Sequence, residues 1–214
     1  ALLRTAEKFT DDDETKAAAK LYEEVYASDA GVAVRFAALA GIVRASGDQA
    51  SSRLVRVFDA QDTDLRSTAI ALVREIPGNQ DISPILDKLP ELSETEQVRL
   101  VTALSSRSDA KTLEVVAGLV KASPDPVRQS AVATLGTIGN KDAVTLLAAT
   151  AAERGAIRPS ARASLYRLRG DHVDTEIVSS YGKTELPVRL ELLRAMDQRR
   201  IRSATPTLLS RLSE

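Results

Sequence analysis

Six positions recur at a near-constant interval: Arg35, Arg66, Gln97, Arg128, Arg158 and Arg189, separated by 31, 31, 31, 30 and 31 residues. A regular row of guanidinium groups could grip anions, since each offers a planar fork of donors that matches a carboxylate or phosphate. A second cationic group, Arg194, Arg199, Arg200 and Arg202, is crowded near the carboxyl end, where a phosphate-bearing or acidic partner could dock. Residues 153–214 hold twelve Lys or Arg against eight Asp or Glu, whereas residues 1–62 hold eight against eleven. The plainer reading of the carboxyl-terminal group, a solvated rim with local salt bridges, is the stronger one.

Other chemistry lacks parts. His172 is the one histidine and there is no cysteine, so histidine-based metal sites, catalytic triads and thiol chemistry fall away. Gly136 and Gly139 are spaced like part of a phosphate loop, but no strand precedes them, and they suit a helix end and turn. Asp11-Asp12-Asp13-Glu14 could attract a cation, yet carboxylates at a helix start are favourable without one. No catalytic residue, metal ligand or cofactor is expected. Aromatic residues are 3% of the chain with no Trp, and the net charge is −1, which gives no global electrostatic reason to bind nucleic acid. No apolar run approaches the ~18 residues of a membrane span. Nothing in the composition fixes the compartment or the oligomeric state. The start, Ala1-Leu2-Leu3-Arg4, lacks Met and a signal-peptide pattern, as expected of a piece of a longer protein or a mature chain.

The elements that must position these residues follow from the apolar pattern behind each of the six. Small or apolar residues fall three, seven and often ten positions later: Ala38, Ile42 and Ala45; Ala69, Val73 and Ile76; Ala131, Leu135 and Ile138; Ala161, Leu165 and Leu168. A fixed period of this size marks a stacked repeat array. Each period predicts two helices joined by polar turns. In the fourth, Ser123 or Asp125 can cap a helix that runs to about Ile138, and Gly139-Asn140 ends it. A second helix then runs from Ala143 to about Glu153. Ser93 to Glu96 has capping-box spacing. Before the first full unit, Glu14 to Tyr26 reads as a helix. The expectation is all-α: a right-handed solenoid of about six two-helix repeats plus a partial amino-terminal one, with about thirteen helices and no strand. The units are placed at about 1–30 (partial), 31–61, 62–92, 93–122, 123–154, 155–183 and 184–214, in one domain over 1–214.

The run from Asp125 to Leu147, with Val127-Arg128, Ala131, Leu135-Gly136, Ile138-Gly139, Asp142 and Leu146-Leu147, resembles the short bacterial HEAT (PBS-lyase-type) repeat. Gly31 to Gly47 and Leu65 to Asp81 are similar to it. The resemblance implies a non-catalytic protein-interaction scaffold, or a spacer, using the concave face. Its partner would be a protein segment or a neighbouring domain. It also implies that the anchor arginines are structural, each packing its stem between units and pairing near a helix end; Asp48, Asp81, Asp109, Asp142 and Asp171 are candidate partners. HEAT-like DNA glycosylases and phycobilin lyases are the alternatives. The missing Trp speaks against the first, and the scattered Tyr22, Tyr26, Tyr166 and Tyr181 against the second. Three departures stand out: Gln97 replaces an anchor arginine, Pro159 should delay or bend the fifth helix, and Arg199 takes the third apolar place of the sixth unit.

Overall fold

A computed structural model describes residues 15–59 and 63–212. The acidic run at 11–14 and the first positions of the partial repeat lie outside them. The chain forms two compact units, Ala1–Asp109 and Ala110–Glu214, and the division falls between the two helices of the third repeat.

The first unit contains α1 (Thr15–Ala27), α2 (Val32–Ala45), α3 (Ala50–Phe58), α4 (Thr63–Leu72), α5 (Ser83–Lys88) and α6 (Glu94–Ala103). The second contains α7 (Ala110–Ala122), α8 (Asp125–Ile138), α9 (Ala143–Ala152), α10 (Ile157–Arg167), α11 (Val173–Tyr181), α12 (Leu186–Gln198) and α13 (Thr205–Leu212). Among the described residues there is no strand, and the fold is an all-α repeat solenoid.

In the first unit the leading helices α2, α4 and α6 lie side by side in succession, and α3 lies beside α5. In the second, α8, α10 and α12 form one row and α7, α9 and α11 the other. The apolar period explains this order. Ala38, Ala69, Leu100, Ala131, Ala161 and Leu192, three residues past each anchor, are all buried, as are Ile42, Val73, Leu104, Leu135, Leu165 and Met196 at the next place. These positions repeat on one helical face, so each helix buries the same stripe against its successor. Helix α9 is packed on several sides, against α10, α11 and α12. Its sequence AVTLLAATAA permits that, because small side chains let neighbouring backbones come close without voids.

Close approach also explains two glycines. A Cβ on Gly41 would meet the Tyr22 ring at 2.4 Å, and one on Gly136 would meet Ser164 Cβ at 2.5 Å. Gly136 is therefore a helix-packing residue of α8, and Gly139 caps that helix.

The expected capping box is present: Ser93 accepts from the Glu96 amide and Glu96 accepts from the Ser93 amide. Side-chain capping of α8 is not. Pro124 is its N-cap, and neither Ser123 nor Asp125 supplies the bond. Pro159 does not delay its helix. Helix α10 begins at Ile157, so Pro159 falls in the first turn, where amides have no intrahelical acceptor and proline's missing N–H removes nothing.

Candidate functional site

The six anchors are occupied within the protein. Arg35 Nε donates to the Tyr26 carbonyl at 3.2 Å, and its guanidinium lies 5.5 Å from the centroid of the Tyr26 ring. Gln97 Nε2 donates to the Leu92 carbonyl at 2.9 Å. Arg128 Nε donates to the Val120 carbonyl at 2.6 Å, and its Nη2 reaches Glu153 at 2.5 Å. Arg158 Nε donates to the carbonyls of Ala151 and Glu153, and Arg189 Nη2 to that of Thr184 at 3.0 Å. These acceptors lie at or just past the end of the second helix of the preceding repeat, where the last carbonyls of a helix lack intrahelical donors. Arg66 instead pairs across 3.0 Å with Glu96, the capping glutamate of the next repeat. The hydrogen bond from the Ser93 hydroxyl, ahead of the charges of Arg66 and Arg99, holds the Glu96 carboxyl below its ordinary value despite some burial. Of the aspartates expected near the anchors, Asp109 pairs with Arg107, and Asp81 accepts from the Ser83 amide.

Arg107 and Arg199 also join neighbouring repeats. Arg107 is 2% exposed, yet its guanidinium is fully used. Nη1 donates to the carbonyls of Ile76 and Pro77, Nη2 to those of Gly78 and Gln80, and Nε to Asp109. Arg199 Nη1 donates to the carbonyls of Tyr166 and Leu168, and its Nε to Asp174 at 2.7 Å. Both stand ten residues past an anchor, the place that other repeats fill with Ile76, Ile138 or Leu168. Arg199 was legible as an interruption of the apolar pattern. The same count from Gln97 reaches Arg107.

The carboxyl-terminal arginines divide. Arg194 donates to Glu191 at 2.5 Å, and Arg162 grips the same buried carboxylate with two bonds of 2.7 Å. Arg199 is committed as described. Arg200 and Arg202 are exposed and make no ion pair among the described residues. They line a hollow of about 410 Å³ whose apolar wall includes Leu193, Met196, Ile201 and Leu208. Arg200 has φ 55°, a left-handed conformation that favours glycine.

Leu186, Leu190 and Leu193 are 63%, 44% and 36% exposed. Their spacing puts them on one stripe of α12, and Leu193 belongs to both the stripe and the hollow. A smaller hollow of about 290 Å³ lies between α7 and α9, lined by Leu113, Glu114, Ala117 and Leu146 among others. Of the other positions on the second helices, Lys88 is paired with Asp59 and Glu91. His172 is exposed, with φ 65°, at the start of α11. Among the described residues no three His, Cys, Asp or Glu side chains gather as metal ligands, and no helix is long and apolar enough to cross a membrane.

No protein-family model matches the chain, and no curated protein matches it. Among solved structures it is similar to one described as computationally designed armadillo repeat proteins for modular peptide recognition. The two share 14% identity and a TM-score of 0.45, covering 92% of this chain and 99% of the other.

Proposed function

We propose that this chain is a repeat array of the short HEAT type that works as a non-catalytic scaffold for protein partners. The observation that carries the reading is the exposed leucine stripe of α12. A stripe of exposed apolar side chains on one helix face marks a place where another molecule sits, whereas single exposed apolar side chains need no explanation. Of six large apolar side chains that are exposed among the described residues, three stand on this one stripe. The anchor arginines play the structural part in this reading. Arg35, Arg128, Arg158 and Arg189 each donate to a carbonyl at a helix end and Arg66 pairs with Glu96, which supports structural pins over a row of anion-binding forks.

The test is site-specific photo-crosslinking in cells. A photoreactive residue at position 190 should form an adduct with a discrete protein partner, and one at Thr137, exposed on α8, should not. No adduct at position 190 would mean that the array is a spacer.

A further inference from the structure

We propose that the hollow between α12 and α13, together with the leucine stripe, receives a short acidic amphipathic segment of a partner protein. The inference rests on the scaffold reading and specifies the partner's chemistry.

The argument begins with charge. Four arginines crowd this end of the second unit; Arg199 is paired with Asp174, and Arg194 shares the Glu191 carboxylate with Arg162. Arg200 and Arg202 remain, on the rim of a hollow whose wall is Leu193, Met196, Ile201 and Leu208. Asp197 is the one acidic group on that rim. An occupant must therefore bury apolar groups and present negative charge beside them.

The backbone fixes one of these charges. Helix α12 closes with the Ile201 amide donating to the Met196 carbonyl and the Arg200 amide to the Asp197 carbonyl, both at 2.9 Å. This paired closure puts Arg200 in the left-handed position, where glycine carries no steric cost. Arginine there is disfavoured by its own backbone. It makes no ion pair among the described residues, which leaves its guanidinium open to a carboxylate of the partner.

The stripe sets the shape of the ligand. Leu186, Leu190 and Leu193 span two helical turns, roughly 10 Å at 1.5 Å per residue. A partner helix of about three turns, with leucines every third or fourth residue, is long enough to cover that stripe in the helix-in-groove mode. A second copy of this chain fits less well, because the rim it would present carries two arginines against one acidic group rather than the negative charge that would complement them.

The experiment uses a fluorescein-labelled twelve-residue peptide with leucines at helical spacing and glutamates elsewhere, and a second peptide in which lysine replaces each glutamate. Fluorescence anisotropy with the full chain should show the glutamate peptide binding at least about tenfold more tightly than the lysine one, and more weakly as salt rises. Leu190→Glu should abolish binding. Arg200→Gly should weaken it about threefold or more while the protein stays folded, since glycine suits that backbone. Equal binding of the two peptides, or unchanged binding by Arg200→Gly combined with Arg202→Gln, would overturn the proposal. So would sedimentation showing a dimer that Leu190→Glu dissociates, because a second copy would then cover the face. If neither peptide binds but position 190 still crosslinks to a partner, the acidic-segment proposal fails and the scaffold reading survives. If position 190 forms no adduct, the scaffold reading itself fails.

Discussion

Arg107 donates through Nη1 to the carbonyl oxygen of Ile76 at 3.1 Å, and Ile76 holds the equivalent place one repeat earlier. An arginine thus replaces an apolar residue at a repeat-to-repeat contact without leaving its charge unpaired. Three further carbonyls and Asp109 complete the shell, which satisfies all three guanidinium nitrogens in a site closed to water. The stem supplies the packing that the isoleucine gives elsewhere.

Truncating this residue should be costly. Arg107→Ala leaves the carbonyls of Ile76, Pro77, Gly78 and Gln80 without this donor, and we expect a loss of about 3–5 kcal/mol, as for breaking a buried charged network. Urea denaturation followed by circular dichroism gives the magnitude. Hydrogen exchange should place the loosening at the 76–80 turn. Arg107→Lys should recover little, because an ammonium cannot span four acceptors in one plane.

Glu191 gives the second unit a dependence on pH. Burial raises its carboxyl, but the hydrogen bonds from Arg162, with the charges of Arg162 and Arg194, outweigh burial and hold it below the ordinary value. A carboxyl depressed in the folded state stabilises fully above its unfolded value, and that contribution is lost as pH falls through the folded one. Glu191→Gln should cost about 1–2 kcal/mol at neutral pH, with both arginine partners partly exposed. The deficit relative to the parent should shrink in thermal melts taken at successively lower pH.

Gly136→Ala should destabilise by about 1–3 kcal/mol, the usual cost of adding a methyl to a closed contact. The added carbon has no room beside Ser164, so α8 and α10 must separate. The double variant Gly136→Ala with Ser164→Gly should recover part of the loss, and chemical denaturation of the four proteins in the cycle measures how much.

Arg200→Gly should behave in the opposite way. Relief of the left-handed conformation is worth roughly 1 kcal/mol, offset in part by the extra freedom glycine gives the unfolded chain. The thermal midpoint should hold or rise by a few degrees, read by differential scanning fluorimetry.

The repeat was legible because burial is periodic. Ala131, Leu135 and Ile138 recur at helical spacing behind Arg128, and the same faces are buried throughout. The Ser93–Glu96 cap was legible because it needs only two residue types three positions apart. Three things were not. Arg107 is a charge in a core position, and its partners are carbonyls, which every residue carries and no sequence displays. The leucines of α12 look like core residues in sequence, since spacing shows that a stripe exists without showing what lies against it. The division of the arginine cluster was hidden for a related reason. Arg194 stands three residues past Glu191 inside the helix and pairs with it, whereas Arg200 stands three past Asp197 in a left-handed position beyond the helix end and makes no ion pair among the described residues.

The central claim is that the arginine ladder holds the repeats together while binding resides on α12. The most direct measurement is the yield of partner adduct from a photoreactive residue at position 193, compared in Arg128→Met and Leu190→Glu. Arg128→Met should lower the thermal midpoint and keep the adduct, because it loses the bonds to Val120 and Glu153 but leaves the stripe intact. Leu190→Glu should keep the midpoint and lose the adduct. An Arg128→Met protein that melts like the parent but no longer forms the adduct would place binding on the ladder and contradict the account.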